Sequence, residues 1–182
     1  MAIMMPEQAH GPGFVAIPGQ PTEEVVGAGE GVRSIVNPDN RRSIMKIIPY
    51  LTFNGRCKEA FALYQKVLGG ELFSMSFAEA PAEVGMPKDA NMILHACLTL
   101  GDFSLMASDC PPGQPYHKPQ GVSVSLNVDS VAEAKRLFDG LSAGGKVFMP
   151  LEKTFWAQRF AMFEDRFGIA WMVNYEGKHK QH

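Results

Sequence analysis

Val122-Ser-Val-Ser-Leu-Asn-Val-Asp-Ser-Val-Ala-Glu-Ala-Lys-Arg-Leu-Phe-Asp-Gly-Leu-Ser-Ala-Gly-Gly145 changes its hydrophobic period halfway along. As far as Val128, apolar and polar residues alternate, the pattern of a strand with one covered face. Asp129-Ser130 breaks the alternation, and Val131, Ala134, Phe138 and Leu141 then recur at helical spacing. Ser130 and Glu133 have the spacing of a capping box, and Gly144-Gly145 ends the helix. The same order of signals occurs earlier. Lys46 to Phe53 reads as a strand, Asn54-Gly55 breaks it, and Cys57, Ala60, Phe61, Tyr64 and Leu68 form a helical stripe closed by Gly69-Gly70. Glu59-Ala60 and Tyr64 recur 74 positions later as Glu133-Ala134 and Phe138. The chain contains an internal repeat.

Strand patterns follow each helix. After the first come Glu71 to Phe77, Met92 to Leu100 and Phe103 to Ser108, the last two joined by Gly101-Asp102. After the second come Lys146 to Met149, Phe155 to Phe163 and Ile169 to Asn174, the last two joined by the turn Glu164 to Gly168. Each unit is therefore βαβββ. The expected class is α+β, with repeats at about 45–109 and 120–176 forming paired curved sheets, each with its helix on the outer face. A ferredoxin-like βαββαβ domain has too few strands.

Alternation also assigns faces. Val122, Val124, Leu126 and Val128 go under a helix, and Ser123, Ser125 and Asn127 point the other way. Leu94, Ala96, Leu98 and Leu100 likewise oppose His95, Cys97 and Thr99, and Leu51 and Phe53 oppose Ile48, Tyr50 and Thr52. Apolar surface carrying a few hydroxyl, amide and imidazole groups suits a small-molecule cavity.

The chain has 182 residues, 46% of them hydrophobic and 20% charged, the balance of a globular protein with a sizeable core. A net charge of -2 gives no electrostatic case for nucleic acid or an anionic membrane. Three irregularly spaced cysteines, Cys57, Cys97 and Cys110, fit reduced thiols in the cytoplasm. Residues 1–44 are rich in Gly, Pro and small residues, and read as a poorly ordered extension without a secretory pattern. The domain proper is expected over 45–176, with a basic tail at 177–182. Within the extension, Val25 to Gly31 is glycine-rich, but Asn37-Pro38-Asp39-Asn40 cuts short the helix a nucleotide loop needs, and no cofactor is expected.

Thr154-Phe-Trp-Ala-Gln-Arg-Phe-Ala-Met-Phe-Glu-Asp-Arg-Phe-Gly-Ile-Ala-Trp-Met-Val-Asn174 resembles the closing hairpin of PhnB-like proteins in the vicinal-oxygen-chelate (glyoxalase/bleomycin resistance/dioxygenase) superfamily. Arg166 stands where that family's Asp-Pro-Phe-Gly turn has proline, and Leu105 to Asp109 matches a second motif. The resemblance runs from Met45 to about Tyr175 and implies the paired-cup fold and a homodimer. It also implies four inward metal-ligand positions, which fall on Ile48, Met106, Ser123 and Met172. Three of these carry no donor suited to a hard or borderline divalent ion, so no metal is expected. Members are often labelled 3-demethylubiquinone methyltransferases, but no S-adenosylmethionine loop is present.

The candidate ligand-binding residues are Tyr50, His95, Ser123, Asn127, Trp156 and Arg159. His95 offers a base or hydrogen-bonding contact, Trp156 a stacking surface, and Arg159 a partner for an anion. Asp109 is placed either at the cavity rim or as a cap on the turn into Pro111, and Trp171 in the core. Two function classes remain. One is a metal-free protein that binds a small molecule; the other is a glyoxalase- or dioxygenase-like enzyme using a metal, or acid-base chemistry at His95 and Tyr50. Since the core pattern begins at Met45, deleting residues 1–44 is expected to leave the melting temperature within about 3 °C of the full chain. Thermal unfolding followed by circular dichroism checks this.

Overall fold

The structure is a computed structural model that describes residues 46–81 and 88–177. The expectations for 1–44 and for 178–182 lie outside the described residues. Strand β1 (Tyr50–Phe53), helix α1 (Cys57–Leu68) and strands β2 (Glu71–Ser76), β3 (Ile93–Leu100) and β4 (Phe103–Asp109) form the first repeat. Strand β5 (Val124–Asn127), helix α2 (Val131–Ser142) and strands β6 (Lys146–Glu152), β7 (Arg159–Glu164) and β8 (Ala170–Tyr175) form the second. The sheet orders are β1-β4-β3-β2 and β5-β8-β7-β6, the same topology twice. In each, the first strand runs parallel to the last and the other pairings are antiparallel.

The elements differ from their sequence patterns mainly at their ends. The stretch Phe155 to Gln158, expected in a strand, is a loop closed by Thr154, whose Oγ1 accepts from Ala157 N at 3.0 Å. Ile47 and Val122 lie outside their strands and are well exposed. A register shift next to Met75 turns Ile93 inward. The helix stripes move by one position at two points: Val67 and Leu137 are buried, whereas Leu68 and Phe138 are only partly so.

The helices are held at their starts by different means. In α2, Ser130 Oγ accepts from Glu133 N at 3.1 Å, while the Glu133 carboxylate turns to Arg136 at 2.7 Å. Only half of the expected capping box forms. Arg56 gives α1 no side-chain cap. Its first amide, Cys57 N, instead donates to Asp109 Oδ1 at 3.0 Å, and Asp109 Oδ2 accepts from Ile93 N at 2.8 Å. Asp109 is 1% exposed, so it fixes α1 and β3 to the end of β4 and is at no cavity rim.

One core runs through both repeats. Helices α1 and α2 touch where Gly140 meets the Val67 methyls; a Cβ there would come within 2.9 Å of them. Arg136 also donates to the Val67 carbonyl. Deeper in, Tyr64 of α1 lies edge-on to Trp171 of β8, with ring centroids 5.2 Å apart, and its hydroxyl donates to Asp165 Oδ2 at 2.6 Å. Asp165, in the β7–β8 turn, is 2% exposed. Its Oδ2 also accepts from Trp171 Nε1 at 2.8 Å, and its Oδ1 from Phe167 N at 2.8 Å and Ile169 N at 3.0 Å. Burial, and then the Asp165 charge, push the Tyr64 phenol pKa far up, so it remains a donor.

Asp165→Asn replaces one carboxylate oxygen by an NH2 group that faces two of the four donors, and is expected to cost about 3 kcal/mol. Tyr64→Phe removes one donor from a carboxylate that keeps three, and is expected to cost about 1–3 kcal/mol. Urea unfolding curves of both variants measure the two losses.

Candidate functional site

Strand pleating puts the residues between the core positions on the opposite face of each sheet. On the first sheet the register aligns Tyr50, Met106, Cys97 and Phe73 in one row across the four strands. Tyr50 and Phe73 are each 52% exposed, so this row is open, and Thr52, Ser108, Ser104 and Thr99 add hydroxyls to the same face. His95 lies on the same face, two residues before Cys97 on β3. Its ring stacks on Tyr50 with centroids 6.0 Å apart and planes 26° from parallel, and Nδ1 is 3.4 Å from the Tyr50 hydroxyl. That is a loose contact, one a bound molecule can displace or tighten. Burial lowers the His95 pKa below 6.5.

The second sheet carries Ser125, Met172, Met162 and Met149 in one row and Asn127, Asn174, Phe160 and Glu152 in the next. Asn174 Nδ2 donates to Asn127 Oδ1 at 3.0 Å, and Asn174 Oδ1 is buried without a protein donor. Trp156 is 46% exposed in the β6–β7 loop, edge-on to Phe155 at 4.5 Å and to Phe160 at 5.4 Å. Arg159 begins β7 and donates to the Gln158 carbonyl at 2.7 Å. Ser123 lies just ahead of β5, half-buried.

The six candidates thus fall into two groups. Tyr50 and His95 form a pair on the first sheet, and Trp156 approaches Asn127 through the Phe160–Asn174 row on the second. Among the described residues, no hydrogen bond or ring contact joins the groups. Trp171 is 1% exposed, in the core as expected.

A recess lies elsewhere, at the seam between repeats. A cavity of about 490 Å³ opens between the chain entering β1, at Ile47 to Pro49, and strand β5, with Leu68, Leu105 and Trp171 also lining it. Of the six candidates only Asn127 lines it. Sequence patterning missed it because alternation describes a strand's two faces and says nothing about what lies beside its edge.

The four positions that the resemblance assigns to metal ligands carry little donor chemistry. Ile48, Met106 and Met172 offer no oxygen or nitrogen donor, and Ser123 offers a neutral hydroxyl. No three His, Cys, Asp or Glu side chains gather into a metal-ligand group among the described residues.

The model of the Glyoxalase/Bleomycin resistance protein/Dioxygenase superfamily matches residues 46–173. The chain belongs to that superfamily. It is 38% identical to Protein YjdN of Escherichia coli K12 over 141 residues, which is 71% of this chain and 95% of YjdN. Among solved structures it is similar to protein PA1353 from Pseudomonas aeruginosa, at 54% identity and a TM-score of 0.69, covering 74% of this chain and 99% of that one. A PhnB protein from Bacillus cereus, labelled a 3-demethylubiquinone-9 3-methyltransferase, shares the fold at 21% identity and a TM-score of 0.59, over 72% of this chain and 99% of its own. The α+β architecture of two βαβββ repeats is thus the superfamily's.

A lowered His95 pKa means that the neutral imidazole dominates at pH 7. The stability it supports is complete above pH 6.5 and is lost as pH falls through the lower, folded value. An NMR titration of the His95 ring is expected to give a midpoint below 6.5, and unfolding free energy is expected to decline across that range.

Proposed function

We propose that this protein is a metal-free member of the superfamily that binds a small molecule on its open sheet faces, as a homodimer in the cytoplasm. The observation that carries the reading is the Tyr50–His95 pair, two polar-tipped rings in loose contact on a half-exposed face of mixed apolar and hydroxyl side chains. Such a face offers stacking area with a donor and an acceptor at one end, which suits an aromatic or anionic ligand. Trp156 supplies a second stacking surface, Asn127 and Ser123 supply hydrogen bonds, and Arg159 pairs with an anionic group. The dimer reading rests on strand edges. Strand β6 is an edge strand whose Val147, Phe148 and Met149 are exposed, and burying such edges favours association. No helix among the described residues is long and apolar enough to cross a membrane.

A second reading is favoured by the same 3.4 Å contact. Neutral His95 beside a phenol can accept a proton from a bound substrate and make this an acid-base enzyme without a metal. The methyltransferase label of the B. cereus protein has no counterpart in these residues.

Three measurements test the proposal. Elemental analysis after chelator-free purification is expected to find no stoichiometric transition metal. Light scattering at micromolar concentration is expected to give a dimer mass, and a clean monomer rejects it. A thermal-shift screen of aromatic and anionic compounds is expected to yield a ligand whose affinity falls roughly fivefold in Trp156→Ala, the loss of a stacking contact worth about 1 kcal/mol. An unchanged affinity in Trp156→Ala and His95→Ala places the site elsewhere.

A further inference from the structure

Three loops meet beside Asp165, and the groove between them is built unlike either sheet face. The linker between the repeats brings Tyr116 and Lys118, the end of α2 brings Lys146, and the β7–β8 turn brings Glu164 and Arg166, around a volume of about 440 Å³. None of the six candidate residues of the sheet faces lines it. Glycine lets the loops come this close. A Cβ on Gly145 would stand 2.1 Å from the Glu164 carbonyl oxygen, and one on Gly168 would stand 3.0 Å from Lys118 Cε.

The groove is cationic. Lys118, Lys146 and Arg166 face two carboxylates, of which Asp165 is 2% exposed and already holds four donors. Glu164 is taken by Lys118 at 2.7 Å, although Lys146 stands opposite Glu164 in the β6–β7 ladder. Lys146 and Arg166 have no carboxylate partner among the described residues. Both lie against rings instead: Lys146 Nζ is 5.2 Å from the Phe148 centroid, and Arg166 Cζ is 5.2 Å from that of Phe167. The carbonyl end of α2 offsets only roughly half a charge. Arg166 is held in a turn that Asp165 organises, and its planar N–H fork is the group that matches an oxyanion in two places at once. It also stands where the resembling turn has proline, so this charge belongs to the chain and not to the turn type.

We infer that this groove binds the terminal phosphoryl group of a small molecule, held by Arg166 and Lys146. A guanidinium and an ammonium on separate loops suit a dianion with several acceptor oxygens better than a singly charged carboxylate. Tyr116, half-buried on the groove wall, offers a ring and a hydroxyl to the rest of the molecule. Burial raises its pKa, so the hydroxyl stays a donor at neutral pH. The site is separate from the sheet faces and does not depend on the reading given for them.

Phenyl phosphate, mostly a dianion at about pH 7.5, and its monoanionic counterpart phenyl sulfate test this by titration calorimetry on the full chain at low salt. Phenyl phosphate is expected to bind with a Kd below about 1 mM, and roughly fivefold or more tighter than phenyl sulfate. Arg166→Gln and Lys146→Gln, both at exposed positions, are each expected to weaken phenyl phosphate roughly tenfold with the melting temperature retained. Should Arg166→Gln fail to fold, Arg166→Pro, which suits the first central position of a turn, repeats the measurement. Lys58→Gln removes an equal charge from the exposed side of α1, and Arg159→Gln and Trp156→Ala report the second sheet; all three are expected to leave affinity within about twofold. Four results overturn the inference. They are no binding of phenyl phosphate, equal affinity for phenyl sulfate, an equal loss in Lys58→Gln, or loss in Arg159→Gln or Trp156→Ala with both groove variants unaffected.

Discussion

A single buried carboxylate holds the two halves of this fold in one arrangement. Asp165 accepts four hydrogen bonds: from Tyr64 on the helix of the first repeat, from Trp171 on the last strand of the second, and from two amides of its own turn. An unpaired carboxylate 2% exposed would be strongly destabilising, and only complete satisfaction makes it tolerable. The geometry that satisfies it is specific. Tyr64 must present its hydroxyl from α1 while the turn folds Phe167 N and Ile169 N back onto Oδ1. Gly168, with φ of 90°, lets the turn close, and Gly168 N donates to the Asp165 carbonyl at 3.0 Å. The turn therefore keeps its shape with Arg166 in place of a proline, because the carboxylate organises it from within.

Apolar contacts reinforce the same joint. Phe167 lies edge-on to Tyr64 at 6.1 Å, and the Arg56 guanidinium sits 4.6 Å from the Phe167 ring centroid while donating to the Arg166 carbonyl at 3.0 Å. Asp109 does comparable work inside the first repeat, where one carboxylate caps α1 and fixes β3. These contacts draw the helices and the core sides of the sheets together. Among the described residues nothing equivalent joins β1 to β5, and the seam cavity lies where the shared core ends.

Most of the architecture was legible because it depends on periods. The switch from a two-residue to a helical period, written twice, places both helices within a residue or two and fixes the topology. Burial of Leu51, Phe53, Ala96 and Leu98 follows directly from alternation. The losses have local causes. Phe155 and Trp156 have strand-like side chains but sit in a loop, because Thr154 closes a turn with Ala157. Asp109 stayed open between the cavity rim and a turn cap because its partners, Cys57 N and Ile93 N, are backbone groups that a sequence pattern does not reveal. The pairing of Tyr50 with His95 was implied only by face assignment, since it crosses an intervening strand. The cavity left no sequence signal, being made of edges rather than faces.

The division between faces also explains why the residues of the open faces can vary while the core stays intact. The core is built almost wholly from one parity of each strand: Leu51 and Phe53, Ala96 and Leu98, Leu105 and Ala107, Ala161 and Phe163, Trp171 and Val173. The other parity holds Tyr50, His95, Cys97, Met106, Met162 and Met172, which are half-buried or exposed and make few contacts with the helices. Exchanging a ligand-type residue for methionine on that face leaves the helix-facing core as it was. Methionine there presents a soft, polarisable surface. The two faces have also diverged from each other: the first keeps an imidazole and a phenol, and the second is dominated by methionine and asparagine. Each face therefore presents its own chemistry, with an imidazole and a phenol on the first and softer side chains on the second. That asymmetry arises from side chains on which the fold's stability scarcely depends.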